Sequence, residues 1–356
     1  RGLGDVYKRQ IEKGNEYLKS KQNPEGYWAQ PSYPALTALA VTAYMRDPAN
    51  QGKPVPEYIR KGYDFILKSQ KEDGSIFNRG MSSYNTAVCM MALLAANKEE
   101  YAPAILKGRA YLIKQQNHFA PDNPYNGGIG YGDKQAPPIA DLSNTSLALE
   151  AIYYSQKLAK DGKYGEQPDL DWNAATEFIN RCQQNPAVNK EPWVSNDKSQ
   201  LGGFVYRPGV SSARDKKSAA FDKAEPPKAY GSMTYAGMQS LIYANVDKND
   251  PRVKLALKWL ENSYSLDENP GMGVQGLYYY YQAMSKALSA MGIDTLTLEN
   301  GRKVDWRDEL ANKLISIQKS DGSWVNTNNR WWEADPVLVT SYCVLALEQL
   351  YHSIPR

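Results

Sequence analysis

The sequence reads Gln318-Lys319-Ser320-Asp321-Gly322-Ser323-Trp324 shortly before its last apolar run, Val337 to Leu350. The same Gln-x3-Gly-x-Trp spacing occurs near the start of the chain, at Gln22–Trp28, again ahead of an apolar run. A third copy, Gln70–Ile76, keeps the glutamine and the glycine but has isoleucine in place of the tryptophan. The chain is therefore interpreted as a set of repeats before any single motif is considered.

Each residue type in this spacing suits a joint between helices. Glutamine at a helix end can donate hydrogen bonds to free carbonyl groups, and glycine adopts turn conformations that other residues resist. Tryptophan packs a large apolar surface and keeps one N–H group for a polar partner. The motif thus predicts a structural connection between successive helices rather than a catalytic group.

The hydrophobic patterns predict two alternating kinds of helix. Amphipathic segments such as Glu57 to Ser69 carry apolar residues on one face and are expected to be outer helices, whereas nearly apolar segments such as Thr145 to Tyr154 are expected to be inner helices. The predicted outer helices lie near 11–21, 56–69, 103–116, 171–184, 251–264 and 306–319. The predicted inner helices lie near 34–46, 83–97, 143–158, 231–245, 274–291 and 336–351.

Composition excludes several classes of protein. The chain has 42% hydrophobic residues, 23% charged residues and a net charge of +3, which is typical of a soluble globular protein without a nucleic-acid partner. The densest basic cluster, Arg214–Lys217, is interpreted as a solvated loop. The longest apolar run, Ala87 to Ala96, is too short for a transmembrane segment. Three scattered cysteines, Cys89, Cys182 and Cys343, are interpreted as core residues.

One domain accounts for most of the chain. Residues 1–10 show no periodicity that joins them to the first repeat and are expected to be a non-native prefix, so localisation is left unassigned. Residues 11–356 are expected to form a single domain that carries an irregular insert at about 186–229. Because neither terminal repeat shows a polar capping face, the six helix pairs are expected to close into a ring.

These repeats resemble the prenyltransferase/squalene-oxidase repeat. The resemblance rests on Gln22–Trp28, Gln318–Trp324, the degenerate copy Gln70–Ile76, and the glycine pairs Gly127-Gly128 and Gly202-Gly203. It implies the all-α, (α/α)6 toroid of terpenoid cyclases and protein prenyltransferase β subunits.

The catalytic signatures of that family are absent. Its class II cyclases carry Asp-x-Asp-Asp-Thr, whose middle aspartate protonates the substrate, whereas the nearest match here is Asp141-Leu142-Ser143-Asn144-Thr145. Serine is too weak an acid for that step. Protein prenyltransferases bind zinc through an Asp-x-Cys pair and a distant histidine, and this chain offers only the poor match Asp335, Cys343 and His352. The sequence therefore predicts no metal and no cofactor, and leaves catalysis undecided.

Candidate site residues cluster at the predicted starts of inner helices, which converge at one mouth of a ring. The carboxylates Asp141, Glu333 and Asp335 are candidate catalytic groups, although acids at helix starts are also common caps. The candidate ligand-binding residues are Asn144, Tyr84, Asn85, Tyr235, Trp331 and Trp332.

Three functions are compatible with these residues. The favoured one is binding of an apolar or isoprenoid-like small molecule, or of a peptide, in a central cavity. The alternative is a glycan-processing enzyme of the (α/α)6 type, with a sugar ring stacked on Trp331-Trp332 beside paired carboxylates. The third is a non-catalytic interaction scaffold.

Overall fold

The computed structural model describes residues 5, 7–132, 139–213 and 226–354, and their regular secondary structure is almost entirely helical. They form α1 (Lys8–Ser20), α2 (Pro34–Arg46), α3 (Glu57–Lys68), α4 (Ser82–Ala96), α5 (Ala102–Lys114), α6 (Leu142–Lys160), α7 (Trp172–Asn180), α8 (Gly231–Tyr243), α9 (Pro251–Asn262), α10 (Leu277–Ala290), α11 (Trp306–Ile317) and α12 (Pro336–Ser353). A two-stranded antiparallel hairpin, β1 (Thr295–Thr297) and β2 (Lys303–Asp305), precedes α11. The predicted all-α class is confirmed, whereas the hairpin was not predicted.

The even-numbered helices form an inner ring. Each packs against the next even-numbered helix, and α12 packs against α2, so the ring is closed. The odd-numbered helices lie outside, and α1 contacts both α12 and α2. The predicted α/α toroid is therefore confirmed, with inner helices buried nearly all round and outer helices buried on one face.

Glutamine side chains connect neighbouring helix pairs at the corners, by which we mean the turns from an outer helix to the next inner helix. At five corners the glutamine Nε2 donates to a glycine carbonyl in its own turn and to a carbonyl at the start of the next outer helix, at 2.6–3.1 Å. The glutamines, each followed by its two acceptors, are Gln22 (Gly26, Tyr58), Gln70 (Gly74, Ala104), Gln116 (Gly127, Asp171), Gln183 (Gly202, Arg252) and Gln318 (Gly322, Gln10). The last of these joins the end of the ring to its beginning.

The corner glycines are required by both conformation and space. Gly322 has φ +91°, and a Cβ atom there would lie 2.3 Å from the carbonyl oxygen of Lys13 on α1. Gly74 has φ +94°, and its Cβ atom would lie 2.1 Å from the carbonyl oxygen of Lys107 on α5. Any side chain would therefore push the adjacent outer helix away from the corner.

The aromatic residue of the corner ties an outer helix to an inner one. Trp324 is fully buried, and its indole Nε1 donates to the Leu314 carbonyl of α11 at 2.8 Å. Its backbone N–H donates to Thr340 Oγ1 of α12 at 3.0 Å. Trp28 repeats both bonds, with Leu18 and Thr37 as partners.

Two regions differ in detail from the sequence expectations, and a third cannot be compared. Helix α1 begins at Lys8 and Tyr7 is 1% exposed, so the last residues of the expected prefix belong to the fold. Helix α10 begins at Leu277, later than expected, because Gly276 adopts a left-handed conformation with φ +66°. The basic cluster at 214–217 lies outside the described residues.

A buried carboxyl group lies at the seam where α12 meets α1 and α2. Glu348 is 0% exposed, and neither carboxyl oxygen accepts a well-formed hydrogen bond from the described residues. The nearby Asn15 amide donates instead to the Ala43 carbonyl at 3.2 Å and to Asp47 Oδ2 at 3.1 Å. Burial raises the pKa of Glu348 well above its usual value, although the positive charge of Arg46 opposes this. The folded protein therefore holds this proton more tightly than the unfolded chain.

We expect Glu348→Gln to raise the free energy of unfolding at pH 7 by at least about 1 kcal/mol, since one pKa unit corresponds to about 1.4 kcal/mol. A glutamate in the unfolded chain titrates near pH 4.3, so wild-type stability should fall as the pH rises from there toward the raised pKa of Glu348. The gain should shrink as the pH falls through 4.3 and vanish near pH 3, where Glu348 is protonated in both states. Urea denaturation at both pH values measures it, and Glu16→Gln on the exposed face of α1 is the control. An equal gain at both pH values would contradict this account.

Candidate functional site

The ring encloses a cavity of about 830 Å³. All six inner helices line it, mainly through their C-terminal halves. The lining residues Gln51, Tyr154 and His352 are exposed, so the cavity opens at the end of the ring where the inner helices finish. Such a volume is typical of a site for one small molecule.

One wall of the cavity is apolar. Helix α4 contributes Tyr84, Val88, Met91 and Ala95, which share one face of the helix because they are spaced by three or four residues. Further aliphatic and thioether side chains come from the other inner helices, namely Leu39, Met45, Leu147 and Leu345. This wall can contact an extended hydrocarbon chain.

The facing wall carries a polar cluster, defined here as Glu150, Gln239, Tyr243 and Lys286. Lys286 Nζ lies 2.8 Å from Glu150 Oε2, and the same oxygen accepts hydrogen bonds from Gln239 Nε2 at 3.3 Å and Tyr243 OH at 3.2 Å. Burial lowers the pKa of Lys286, but the charge and hydrogen bonding of Glu150 outweigh it and leave that pKa raised. The cluster is therefore an ion pair with no net charge.

Tyrosines close the inner end of the cavity. Tyr84, Tyr279 and Tyr342 line it near the starts of α4, α10 and α12. Burial raises the pKa of each phenol. Hydrogen bonding with Tyr342 partly opposes this at Tyr84, and the charge of Lys286 together with hydrogen bonding to Ser143 does so at Tyr279. Ser143, at the start of α6, therefore lies next to the floor of the cavity.

Asp141 and Asn144 form a local cap. Asp141 Oδ1 accepts from the Asn144 backbone N–H at 2.7 Å, and Oδ2 accepts from Asn144 Nδ2 at 2.8 Å. Burial raises the pKa of Asp141 to about 6, although both Asn144 bonds oppose the shift. Neither residue lines the cavity. Their contacts stabilise the start of α6.

Glu333 and Asp335 also contact helix starts. The buried Glu333 carboxylate accepts from the backbone N–H groups of Tyr278 and Tyr279 on α10 at 3.0 and 2.9 Å. Burial raises its pKa, and the bonds from Asn326 and α10 oppose this. Asp335 caps α12 through the Val337 N–H at 2.9 Å. Neither carboxylate faces the cavity.

Trp331 and Trp332 lie on the surface at the opposite end of the ring from the cavity opening. They are 43% and 40% exposed, and both adopt left-handed backbone conformations with φ of 55° and 64°. Trp332 packs on Tyr33 at 5.0 Å between ring centroids, and the Arg330 guanidinium lies 4.5 Å from the Trp331 ring. The pair forms an exposed aromatic surface without a cavity carboxylate beside it.

Of the nine residues selected from the sequence, Tyr84 is the one that lines the cavity. Asn85 Oδ1 instead accepts from the Ala35 N–H at 2.9 Å and joins α4 to α2. Tyr235 is fully buried and packs on Tyr280, with ring centroids 5.6 Å apart. Both residues make contacts between neighbouring inner helices.

Sequence reasoning missed the polar cluster. A signal was present, because Glu150 and Lys286 are charged residues inside helices that are otherwise largely apolar, and such residues are rarely buried without a partner. Their pairing could not be predicted from the sequence, since Glu150 and Lys286 lie on different helices.

The described part of the chain contains no group of three or more His, Cys, Asp or Glu side chains arranged to hold a metal ion. Asp335 and His352 stand at opposite ends of α12, and a rise of about 1.5 Å per residue separates them by more than about 20 Å. They cannot bind one zinc ion together. No helix among the described residues is both long and apolar enough to cross a bilayer.

Solved structures with the same ring are recognised over nearly the whole chain. The apo type II terpene cyclase MstE from Scytonema matches with a TM-score of 0.57 at 10% identity, covering 99% of this chain and 100% of that chain. Candida albicans protein geranylgeranyltransferase-I complexed with GGPP matches with a TM-score of 0.56 at 13% identity, covering 96% and 91%. A protein from Actinoplanes matches with a TM-score of 0.51 at 12% identity, covering 97% and 98%.

Sequence comparison adds nothing to these structural matches, since no family model and no curated protein sequence matches the chain. At 10–13% identity the structural likeness establishes a shared fold and no shared activity.

Proposed function

We propose that this protein binds an elongated, largely apolar, isoprenoid-like molecule in its central cavity. The observation that carries the proposal is the cavity of about 830 Å³, whose α4 wall presents Val88, Met91 and Ala95 in one stripe. Burial of apolar surface contributes about 25 cal/mol per Å², so a flexible hydrocarbon chain along this wall would be bound mainly by the hydrophobic effect.

Two of the similar structures support this class of ligand. A variant of the cyclase MstE was solved with geranylgeranyl dihydroxybenzoate as substrate, and the Candida transferase with GGPP. We also infer that the five glutamine corners are copies of the prenyltransferase/squalene-oxidase repeat. The proposal extends to binding alone, because the position of the family's proton donor is Ser143 and a hydroxyl is too weak an acid for that chemistry.

The geometry gives less support to the glycan-processing alternative. That reading needs two carboxylates facing a common space, with a separation of roughly 5–10 Å. Asp141, Glu333 and Asp335 each accept hydrogen bonds from backbone amides at helix starts. A scaffold function would not need an open cavity, so the exposed opening at Gln51 and His352 favours ligand binding.

Calorimetric titration with geranylgeraniol, a cello-oligosaccharide and an unstructured apolar peptide tests the proposal. We expect binding of the isoprenoid alone. Val88→Trp should weaken it at least about tenfold, because the indole would occupy the space along α4. Val274→Trp is the matched control, since Val274 is 42% exposed and does not line the cavity.

Trp332→Ala separates the alternatives. We expect the variant to bind the isoprenoid as the wild type does, because Trp332 is outside the cavity. Oligosaccharide binding that is lost in Trp332→Ala would replace the proposal with the glycan reading. Peptide binding that is lost in Val88→Trp would assign the cavity to a peptide. The absence of binding to all three ligands would favour the scaffold and overturn the proposal.

A further inference from the structure

The polar cluster leaves hydrogen-bonding capacity directed into the cavity. All three donors around Glu150, from Gln239, Tyr243 and Lys286, approach its Oε2 atom. Among the described residues, no hydrogen-bond donor reaches Oε1, although Glu150 is only 8% exposed and lines the cavity. Because Glu150 lines the cavity, this oxygen is open to a hydrogen bond from water or from a ligand group.

Lys286 completes the complementary half of this site. Its ammonium group has three N–H donors, of which Glu150 Oε2 occupies one. Its side chain is 23% exposed and lines the cavity beside Glu150. The pair thus presents one free acceptor and free donors at adjacent positions on the cavity wall.

We propose that Glu150 and Lys286 together bind a hydroxyl group of the ligand, so that the cavity selects an oxygenated isoprenoid over a plain hydrocarbon. This inference rests on the proposed isoprenoid-binding function and specifies its ligand. A hydroxyl group can donate to Glu150 Oε1 while it accepts from Lys286 Nζ, and it thereby satisfies both partners. A hydrocarbon would displace water from the pair without replacing its hydrogen bonds.

The charge of the pair argues against an ionic group at this position. A ligand carboxylate that contacted Lys286 would lie beside the Glu150 carboxylate, and a ligand ammonium that contacted Glu150 would lie beside Lys286. In a site with a low effective dielectric constant, either like-charge contact is strongly unfavourable. A neutral hydroxyl group meets neither repulsion.

Four C20 isoprenoids of equal chain length test the inference: geranylgeraniol, the hydrocarbon that lacks its hydroxyl group, the carboxylic acid and the amine. Dissociation constants are measured by calorimetry at one fixed detergent concentration. We expect the alcohol to bind at least about tenfold more tightly than the hydrocarbon, because hydrogen bonds to charged groups are the stronger kind. The acid and the amine should bind more weakly than the alcohol.

The double variant Glu150→Leu/Lys286→Met removes the pair without leaving one buried charge uncompensated, and such replacements are commonly tolerated. Gln239 and Tyr243 still hydrogen-bond to each other at 2.5 Å. We expect the preference for the alcohol to fall below about twofold while the hydrocarbon still binds. Glu100→Leu/Lys98→Met, a surface pair 3.8 Å apart outside the cavity, is the matched control and should keep the preference.

Each of the other outcomes contradicts either the hydroxyl site or the proposed function. Equal binding of alcohol and hydrocarbon by the wild type would overturn the hydroxyl site while leaving isoprenoid binding intact. A preference that survives in the double variant would place recognition elsewhere and also overturn it. Tightest binding of the acid would show that a cation, such as Arg46 at the cavity opening, selects the ligand instead. Failure of every isoprenoid would reject the proposed function itself.

Discussion

Replacing Trp324 with alanine is expected to lower the free energy of unfolding by about 3–5 kcal/mol, the range found for fully buried large aromatic side chains. Trp324 is 0% exposed and hydrogen-bonds to Leu314 on α11 and Thr340 on α12. The backbone bond to Thr340 survives the substitution, so the loss reports the indole ring and its packing. Chemical denaturation followed by circular dichroism at 222 nm measures the change.

Trp331→Ala is the matched control. Trp331 is 43% exposed, and substitutions at such positions usually change stability by less than about 1 kcal/mol. A similar loss of stability in both variants would mean that removing any tryptophan lowers the free energy of unfolding, whether or not it lies at a corner. A loss below about 1 kcal/mol for Trp324→Ala would refute the description of the corner as a packed joint.

Gly74→Ala is expected to destabilise the protein by more than about 3 kcal/mol, because strain and a steric clash act together. The left-handed φ of +94° alone costs an alanine about 1–2 kcal/mol. The new Cβ atom would also lie 2.1 Å from the Lys107 carbonyl oxygen, which is backbone and cannot rotate away. Helix α5 would have to move from the corner, and the bond from Gln70 to Ala104 would lengthen with it.

Gly301→Ala separates the two causes. Gly301 has a similar φ of +84°, but a Cβ atom there would meet nothing within 4 Å. Its substitution should therefore cost only the conformational term of about 1–2 kcal/mol. Urea denaturation of both variants gives the difference, which is the contribution of the clash. Equal losses would show that the close approach of α5 to the corner is unimportant.

The success of the helix assignment has a physical cause in the similar contacts made at the five corners. Glutamine, glycine and an aromatic or aliphatic residue recur at fixed spacing because each corner makes the same contacts, so Gln22–Trp28 and Gln318–Trp324 were recognisable without the structure. The copy at Gln116 was obscured, because additional residues separate it from Gly127 while the hydrogen bond between them is kept. Closure of the ring could be predicted because neither end of the helix array carries a polar capping face.

The site was less predictable, because it depends on contacts between helices. Acids at helix starts such as Asp335 were visible candidates, and whether they cap or catalyse was left open by the sequence. The pairing of Glu150 with Lys286 depends on which turn of α6 faces which turn of α10, and no local pattern encodes that. The direction in which the cavity opens likewise depends on how the side chains at both ends of the ring fill the space.

The bond from Gln318 to the Gln10 carbonyl joins residues 308 positions apart, whereas the bond from Gln70 to Ala104 spans 34. Most of the ring can therefore assemble through contacts of short sequence separation, but its last joint requires closure of nearly the entire chain. Because closing a long loop is entropically unfavourable, this joint should form late in folding. During partial unfolding, the ring should then open first at the contact between α1 and α12. In amide hydrogen-exchange measurements, the backbone amides of α1 and those of α12 should gain or lose protection together.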